Sequence, residues 1–572
     1  MEKNRKSKQQ IHRIHKISAT LVVAVLGSVT TVWANTALPT SNPQVAAVAQ
    51  NVAANEDAVV PTLPGKQQQV VAEGRFLLQG VRFTGDVPVY TGELQALAQP
   101  LINQEITLGQ LQALTAQLTS YLRQHDYPAG TAFLPPQENR DGTIEIRLLL
   151  GQLENVTIQN QSRLQDGVAK GIAKQFPTGV TLTNDAVAPT LRQLQGLPGI
   201  VVKGELTPGQ SVGSTDLTLT LTDSKPVGGY VYVDNYGQAQ SGRNRLGLQV
   251  SLYNPTGYGD TFTIGGLWSN ENLRNYIANY DRPVGTKGSH VGVSYSRLNY
   301  SLGGALSSTN TDGLARTLGV YGSTPLTKST NAMTSLTYGY NYRVLESTVN
   351  AYNRKAHSHA VNVGISGYRW SPQTYLGYNL IGTWGTLQRQ ADVLWPFINP
   401  KTGQLGLVKG TQYGGDGTGT FYKLNTDITY SRALAPRLRL QLNWHSQLAN
   451  QSLDGSEQFV LGGPNGIRAY GTNAGGGDTG YQATIALHYQ TPVTGLTVSP
   501  FVDWGATFLK GAVAPNSPAS YHLAGWGLGL TYQPQNDWNL AITYARKMKA
   551  LPVPDANDSS KGRWWAQVGY RF

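Results

Sequence analysis

The sequence predicts a membrane β-barrel preceded by two small α+β domains, and three observations carry that reading. From residue 225 onward helical spacing disappears, and apolar residues alternate with small polar ones in runs of about ten, the pattern of outer-membrane strands. Before that point, residues 73–152 and 153–224 each follow the plan strand, helix, helix, strand, strand, which describes a soluble α+β module. At the amino terminus a basic run leads into an apolar one, in the form of a secretory leader.

In the leader, Lys3, Arg5, Lys6, Lys8, Arg13 and Lys16 stand against Glu2 alone, and the apolar stretch 17–32 ends in Val32-Trp33-Ala34. Residues 1–34 are therefore expected to be a signal peptide cut after Ala34. The same cluster supplies much of the net charge of +12, so the mature chain is only mildly basic and nucleic acid is not an expected partner. The chain has no cysteine, which excludes disulfides and thiolate metal sites. No later stretch approaches the ~18 uninterrupted apolar residues of a spanning helix, so any membrane crossing must use strands. Residues 35–72, rich in Ala, Asn, Gln, Val and Pro, read as a linker in which 43–55 could form a short plug helix.

In 73–152, residues 76–83 read as a strand, and Thr107 caps a helix marked by Leu108, Leu111, Leu114, Leu118 and Leu122. Ile144, Ile146 and Leu148 then mark a strand over 143–149. In 153–224, Val156 and Ile158 alternate, Leu164, Val168, Ile172 and Phe176 recur every four residues, and Leu191, Leu194 and Leu197 form a second helical stripe. Leu217, Leu219 and Leu221 alternate with threonine in a closing strand.

The barrel segment, 225–572, opens with Leu246, Leu248, Val250 and Leu252 on one face, a turn over 254–260, and Phe262, Ile264 and Trp268 on one side of the next strand. The last strand is the clearest: Trp564, Ala566, Val568, Tyr570 and Phe572 share a face opposite Trp565, Gln567, Gly569 and Arg571. Such a sheet must close on itself in lipid, because an open edge would leave backbone groups unpaired. Val568, Tyr570 and the terminal Phe572 are the expected assembly signal. His357-Ser358-His359 places two imidazoles on one strand face with no third ligand near in sequence, and Gly527-Leu528-Gly529 is small-residue spacing within a strand. Walker, His-Glu-x-x-His and Gly-x-Ser-x-Gly motifs are absent, so neither an enzyme nor a bound metal or cofactor is expected.

Residues 462–470, Gly-Gly-Pro-Asn-Gly-Ile-Arg-Ala-Tyr, and the run Gly475-Gly476-Gly477-Asp478 set one arginine in a glycine-rich loop. Ile106-Thr107-Leu108-Gly109, Tyr127-Pro128, Leu134-Pro135-Pro136-Gln137 and Asp141-Gly142 resemble the first polypeptide-transport-associated (POTRA) domain of the TpsB-type outer-membrane transporters of two-partner secretion, the haemolysin activation/secretion family. Val233-Asp234-Asn235-Tyr236-Gly237 resembles the first barrel strand of that family, 459–470 the tip of its long sixth loop, and Phe501-Val502-Asp503-Trp504-Gly505 the strand facing that tip. The resemblance implies about 16 antiparallel strands, two POTRA domains (73–152 and 153–224) and a sixth loop folded into the lumen. It also implies that Arg468 at the tip, with Gly463, Pro464 and Tyr470, meets Asp503 on the wall, with Phe501 and Gly505. Alternation agrees, because a carboxylate on the lipid face is costly and Phe501, Asp503 and Gly505 must then face inward. The family usually has glycine where this chain has Ala469, and if that position needs positive φ the methyl carries a steric penalty.

The function implied is capture of an unfolded exoprotein by the POTRA domains, by addition of one of its strands to a sheet edge, and passage through the barrel in the outer membrane of a Gram-negative bacterium. The partners implied are a secreted β-helical adhesin or haemolysin, outer-membrane lipid, periplasmic chaperones and the barrel-assembly machinery. With no ATP in the periplasm and no nucleotide motif, folding at the cell surface is the expected drive. The alternatives are an outer-membrane insertase of the same superfamily, for which two POTRA domains are few, and a barrel enzyme or simple porin.

Overall fold

The computed structural model describes residues 74–572 except 89–90, 139–140, 304–306, 309, 351, 399–404, 414–416, 473, 512–517, 535–536 and 552–559. The leader, the linker and the short helix expected over 43–55 lie outside the described residues. Two compact units divide near Ser224 and Lys225.

The first unit begins with β1 (Phe76–Leu78), β2 (Gly80–Gly85), α1 (Thr91–Ala98), β3 (Gln104–Ile106), α2 (Leu108–Gln124), β4 (Thr131–Phe133) and β5 (Thr143–Leu149). β2 runs parallel to β5, which pairs antiparallel with β4, while β1 pairs with β3. The single strand expected over 76–83 is therefore two. The chain breaks at Gln79, whose N–H donates to Gly142 O at 2.8 Å, and the two halves take different partners. Thr107 caps α2 in a reciprocal box: its hydroxyl accepts from Gln110 N at 3.3 Å, and Gln110 Oε1 accepts from Thr107 N at 2.8 Å. Leu111, Leu114, Leu118 and Leu122 are buried, each stabilising the domain by about 2 kcal/mol relative to exposure.

The second module repeats the plan with β6 (Gln152–Asn160), α3 (Asp166–Ala173), α4 (Asn184–Gln195), β7 (Ile200–Pro208) and β8 (Ser214–Asp223). β8 is central, parallel to β6 and antiparallel to β7, so β7 has a free edge in this sheet. Leu164 and Phe176, expected on the helical stripe, fall just outside α3 but enter the same core. Two contacts join the modules. Gly151 between them has φ +82°, and a Cβ there would stand 2.6 Å from Ala129 Cβ, so only glycine fits. Asp126 accepts from Asn184 N at the start of α4 through both its carboxylate (3.0 Å) and its carbonyl (2.9 Å).

The second unit is a closed antiparallel barrel of 16 strands, from Val227–Asp234 to Gly562–Arg571. The long strand Thr374–Ile398 pairs with Gly419–Ala435 along its first part and with Leu405–Tyr413 beyond it. Closure joins the first and last strands in register from Gln567 opposite Asp234 to Arg571 opposite Tyr230. Phe572 extends the ladder by exchanging backbone hydrogen bonds with Gly229 at 3.0 and 3.1 Å. At the other end of the seam the Asn235 side chain stands in for a peptide unit: Nδ2 donates to Trp564 O at 3.1 Å and Oδ1 accepts from Ala566 N at 2.9 Å. Outside, Leu246, Leu248, Phe262, Ile264, Val361, Val363, Val502 and Val568 are exposed, as a lipid-facing belt requires. Inside, Trp565, Phe421, Phe501 and Asp503 are buried.

Candidate functional site: a loop lodged in the barrel

Residues 450–478 connect the strands Leu438–Ala449 and Thr479–Gln490 and lie against the inner wall. Phe459–Val460 pairs with Gly476–Gly477, so the loop is itself a hairpin. Its tip turns at Gly463, which has φ +122°. Pro464 follows, half-buried. Ile467 N then donates back to Leu461 O at 2.7 Å and Tyr470 N to Ile467 O at 3.1 Å, which fixes the turn carrying Arg468.

On the strand Leu496–Phe508, Phe501, Asp503 and Gly505 point inward and Val502 points out, as alternation predicts. Arg468 meets Asp503 in a fork: Nε to Oδ2 at 2.9 Å and Nη2 to Oδ1 at 2.7 Å. Arg468 N adds a third bond to Oδ2 at 3.1 Å, and Thr484 Oγ1 donates to Oδ1 at 2.9 Å. The guanidinium lies 3.2 Å from the centre of the Phe501 ring, a cation–π contact beneath the ion pair. Asp503 is 1% exposed, so little solvent competes for it.

The residues beside Arg468 are held as firmly. Tyr470 is fully buried, and its hydroxyl donates to Ala524 O at 2.9 Å or Lys549 O at 2.7 Å. A Cβ on Gly505 would stand 2.9 Å from Leu461 Cδ2 and 2.4 Å from Tyr481 O, so Gly505 makes room for the loop. Ala469 does not have positive φ, and the steric penalty anticipated there does not arise. Its methyl instead fills the space left by Gly525, where a Cβ would stand 2.5 Å from Ala469 Cβ.

A second set of contacts at the base of the loop is not visible in the sequence motif. Asp454 caps and Glu457 ends a 3-10 turn, Gly455–Glu457. Glu457 pairs with Arg343 at 2.8 Å and Lys423 at 2.7 Å, and Gln447 Nε2 donates to its carbonyl at 2.9 Å. Asp454 pairs with Arg354, and with Arg389 at 3.6 Å. Asp478, which ends the glycine run, is fully buried and accepts from Leu453 N (2.8 Å), Gln458 Nε2 (3.0 Å) and Lys510 N (2.7 Å), tying the two ends of the loop together. The available signal was that Asp454 and Glu457 are acids just before a nearly uncharged tip; their partners lie on strands far away in sequence.

The remaining singled-out residues stand elsewhere. Val568, Tyr570 and Phe572 are on the outer face of the last strand. His357 and His359 also face out, with Nδ1 at 3.0 Å from Tyr342 Oη and 2.7 Å from Tyr340 Oη. On the strands Thr479–Gln490 and Leu496–Phe508, His488 Nδ1 stands 2.8 Å from Ser499 Oγ, and the contacts of the inner wall around the tip hold a loop.

Comparison with known proteins agrees with this architecture. The family model described as haemolysin secretion/activation protein ShlB/FhaC/HecB matches residues 213–532, more than half of the chain. A ShlB-type POTRA domain model matches 76–151. The heme/hemopexin transporter protein HuxB of Haemophilus influenzae (strain 86-028NP) is 25% identical over 490 residues, covering 84% of each chain. The outer membrane transporter CdiB of Escherichia coli is 25% identical over 442 residues, 74% of this chain and 70% of that one. The solved structure of CdiB from Escherichia coli superposes with a TM-score of 0.58 at 21% identity, covering 92% of this chain and 97% of that one, and shows the same fold.

Proposed function

Because the chain belongs to the haemolysin secretion/activation family ShlB/FhaC/HecB, we propose that Arg468 and Asp503 form the latch that holds its sixth loop in the pore between rounds of export. The protein is an outer-membrane transporter of two-partner secretion, with its POTRA domains in the periplasm and its barrel as the exit. Its substrate is a secreted exoprotein of the TpsA type. We read that substrate as an adhesin, haemolysin or heme-binding protein that arrives unfolded, is kept so by periplasmic chaperones, and adds a strand to the free edge of β7. The barrel-assembly machinery would receive the transporter itself through the terminal strand ending in Phe572.

The observation that supports the latch is the three-bond grip of Arg468 on a buried carboxylate at the tip of a glycine-rich loop. With the loop in place the lumen is occupied along one wall, so a chain can pass only once the loop is displaced. Deleting 75–224 tests the division of labour: the barrel should still assemble while the exoprotein accumulates in the periplasm. Secretion at the normal rate by the bare barrel would end the proposal that the POTRA domains are the receptor.

A further inference from the structure

The outer face of the barrel carries a second feature that export does not explain. The strand Arg274–Val284 opens at its outer end with Arg274 and Tyr276; the next, Ser289–Ser301, carries Tyr295, Arg297 and Asn299 outward; Thr311–Lys328 carries Leu314, Arg316 and Leu318. Register sets these side chains in rows. Tyr276 lies opposite Arg297, and Arg297 lies directly opposite Arg316. One step toward the outer rim, Arg274 lies opposite Asn299, Asn299 opposite Leu314 and Leu314 opposite Glu346. One step toward the membrane centre the row is Ala278, Tyr295, Leu318, Tyr342, and the next is Tyr280, Val293, Val320, Tyr340. The arginines thus sit just above an aromatic and apolar band in which Tyr295, Leu318, Val293, Val320 and Tyr340 are exposed on the lipid face.

Two like charges directly opposite on neighbouring strands destabilise a sheet unless something shares them. Glu346 relieves Arg316 (2.9 Å) and Lys355 (3.5 Å). Among the described residues no carboxylate pairs with Arg274 or Arg297; Arg297 Nε donates only to Asn299 Oδ1 at 3.1 Å. Both arginines and Tyr276 line an open groove of about 610 Å³, with Asn272, Asn299 and Thr348 as further polar walls and two carboxylates, Asp312, which accepts from Ser301 Oγ, and Glu346, which is taken up by Arg316 and Lys355. An anion in that groove would meet two guanidinium groups that no carboxylate neutralises among the described residues, and a tyrosine.

We infer that Arg274 and Arg297, with Tyr276, bind the phosphate of a glycolipid in the outer leaflet. Guanidinium matches phosphate with paired donors, and basic side chains at a membrane surface attract anionic headgroups. Position selects a lipid over a free anion, because acyl chains hanging from a phosphate held here would lie along Tyr295, Leu318, Val293 and Val320. His357 and His359, hydrogen-bonded to Tyr342 and Tyr340 two strands away, extend the same polar margin.

The test uses the full-length protein in detergent micelles, with bisphosphorylated lipid A as probe and retention read by native mass spectrometry. Wild type should retain lipid A, and the Arg274→Gln/Arg297→Gln double variant should bind roughly tenfold more weakly. Fully dephosphorylated lipid A should bind wild type no better than the double variant binds the intact lipid. Arg437→Gln, at a turn on the opposite rim, should bind as wild type. If the double glutamine variant fails to fold, Arg274→Lys/Arg297→Lys keeps the charge but loses the fork, and it should show a smaller loss. Unchanged binding by the folded double variant, or by the lysine pair where that stands in for it, would overturn the inference. So would equal retention of the dephosphorylated lipid. Displacement of lipid A by inorganic phosphate at equal concentration would mean a free-anion site and overturn the lipid assignment.

Discussion

Trp565 Nε1 donates to the carbonyl oxygen of Arg468 at 2.7 Å, so the last barrel strand grips the backbone of the residue whose side chain the strand Leu496–Phe508 holds through Asp503. The side chain and the backbone of Arg468 are therefore fastened to two different strands, and one of them is a strand of the closing seam. The expected outcomes below follow from this arrangement.

Arg468→Ala leaves a buried carboxylate without its cation, and Asp503→Ala leaves a guanidinium without its anion. Breaking one side of such a pair typically costs about 3–5 kcal/mol, and the 20% exposure of the Arg468 side chain places this pair toward the lower end. In a double-mutant cycle on thermal unfolding of the loop–barrel contact, the double variant should be little worse than either single one. Arg468→Lys should behave like the alanine variant, because the fork to both oxygens is lost. Additive losses would show that the two residues act separately.

Gly525 and Ala469 occupy one space between them. Gly525→Ala should destabilise the tip by about 1–3 kcal/mol through overpacking, and Ala469→Gly should restore most of it in the double variant. Heat-modifiability on gels reads the result. A Gly525→Ala barrel that melts with wild type would mean the loop yields without cost.

Glu457→Gln removes the anion shared by Arg343 and Lys423 at the loop base. The variant should assemble normally and show larger or more frequent openings in planar bilayers, and combining it with Arg468→Ala should widen the effect. An unchanged conductance record would place control of the pore at the tip alone.

Deleting Phe572 removes two backbone bonds to Gly229 and the ring that packs where a Gly229 Cβ would be, 2.2 Å from Phe572 Cζ. Tyr570→Asp puts a charge on the outer face, which costs most toward the bilayer midplane. Both should lower the amount of assembled barrel in the outer membrane while leaving export per assembled barrel near normal. Wild-type barrel levels would contradict the assignment of this face to lipid.

Much of this molecule is written in two-residue alternation, which is why the barrel and the inward direction of Asp503 could be read from Phe501-Val502-Asp503-Trp504-Gly505. Arg468 was visible because a lone cation among glycines needs a receiver. The anchors of Asp454 and Glu457 were not visible. Arg343, Arg354, Arg389 and Lys423 sit on four other strands, and nothing local distinguishes an inward arginine that meets a loop from one that meets water. The break at Gln79 was hidden for a related reason: the two halves of 76–83 share one local pattern and differ only in their partners, Gln104–Ile106 and Thr143–Leu149. The room for the Ala469 methyl comes from Gly525, which is remote in sequence and close in space.

The loop base also has an electrical side. While the loop is seated, Asp454 and Glu457 offset the charges of Arg343, Arg354, Arg389 and Lys423 on the wall. A loop that withdrew would carry both carboxylates away, and Arg343, Arg354 and Lys423 would lose these partners. The occupied barrel and an emptied one would then be different conductors: the emptied one should favour chloride over potassium and draw acidic stretches of a passing polypeptide toward that wall more strongly than basic ones.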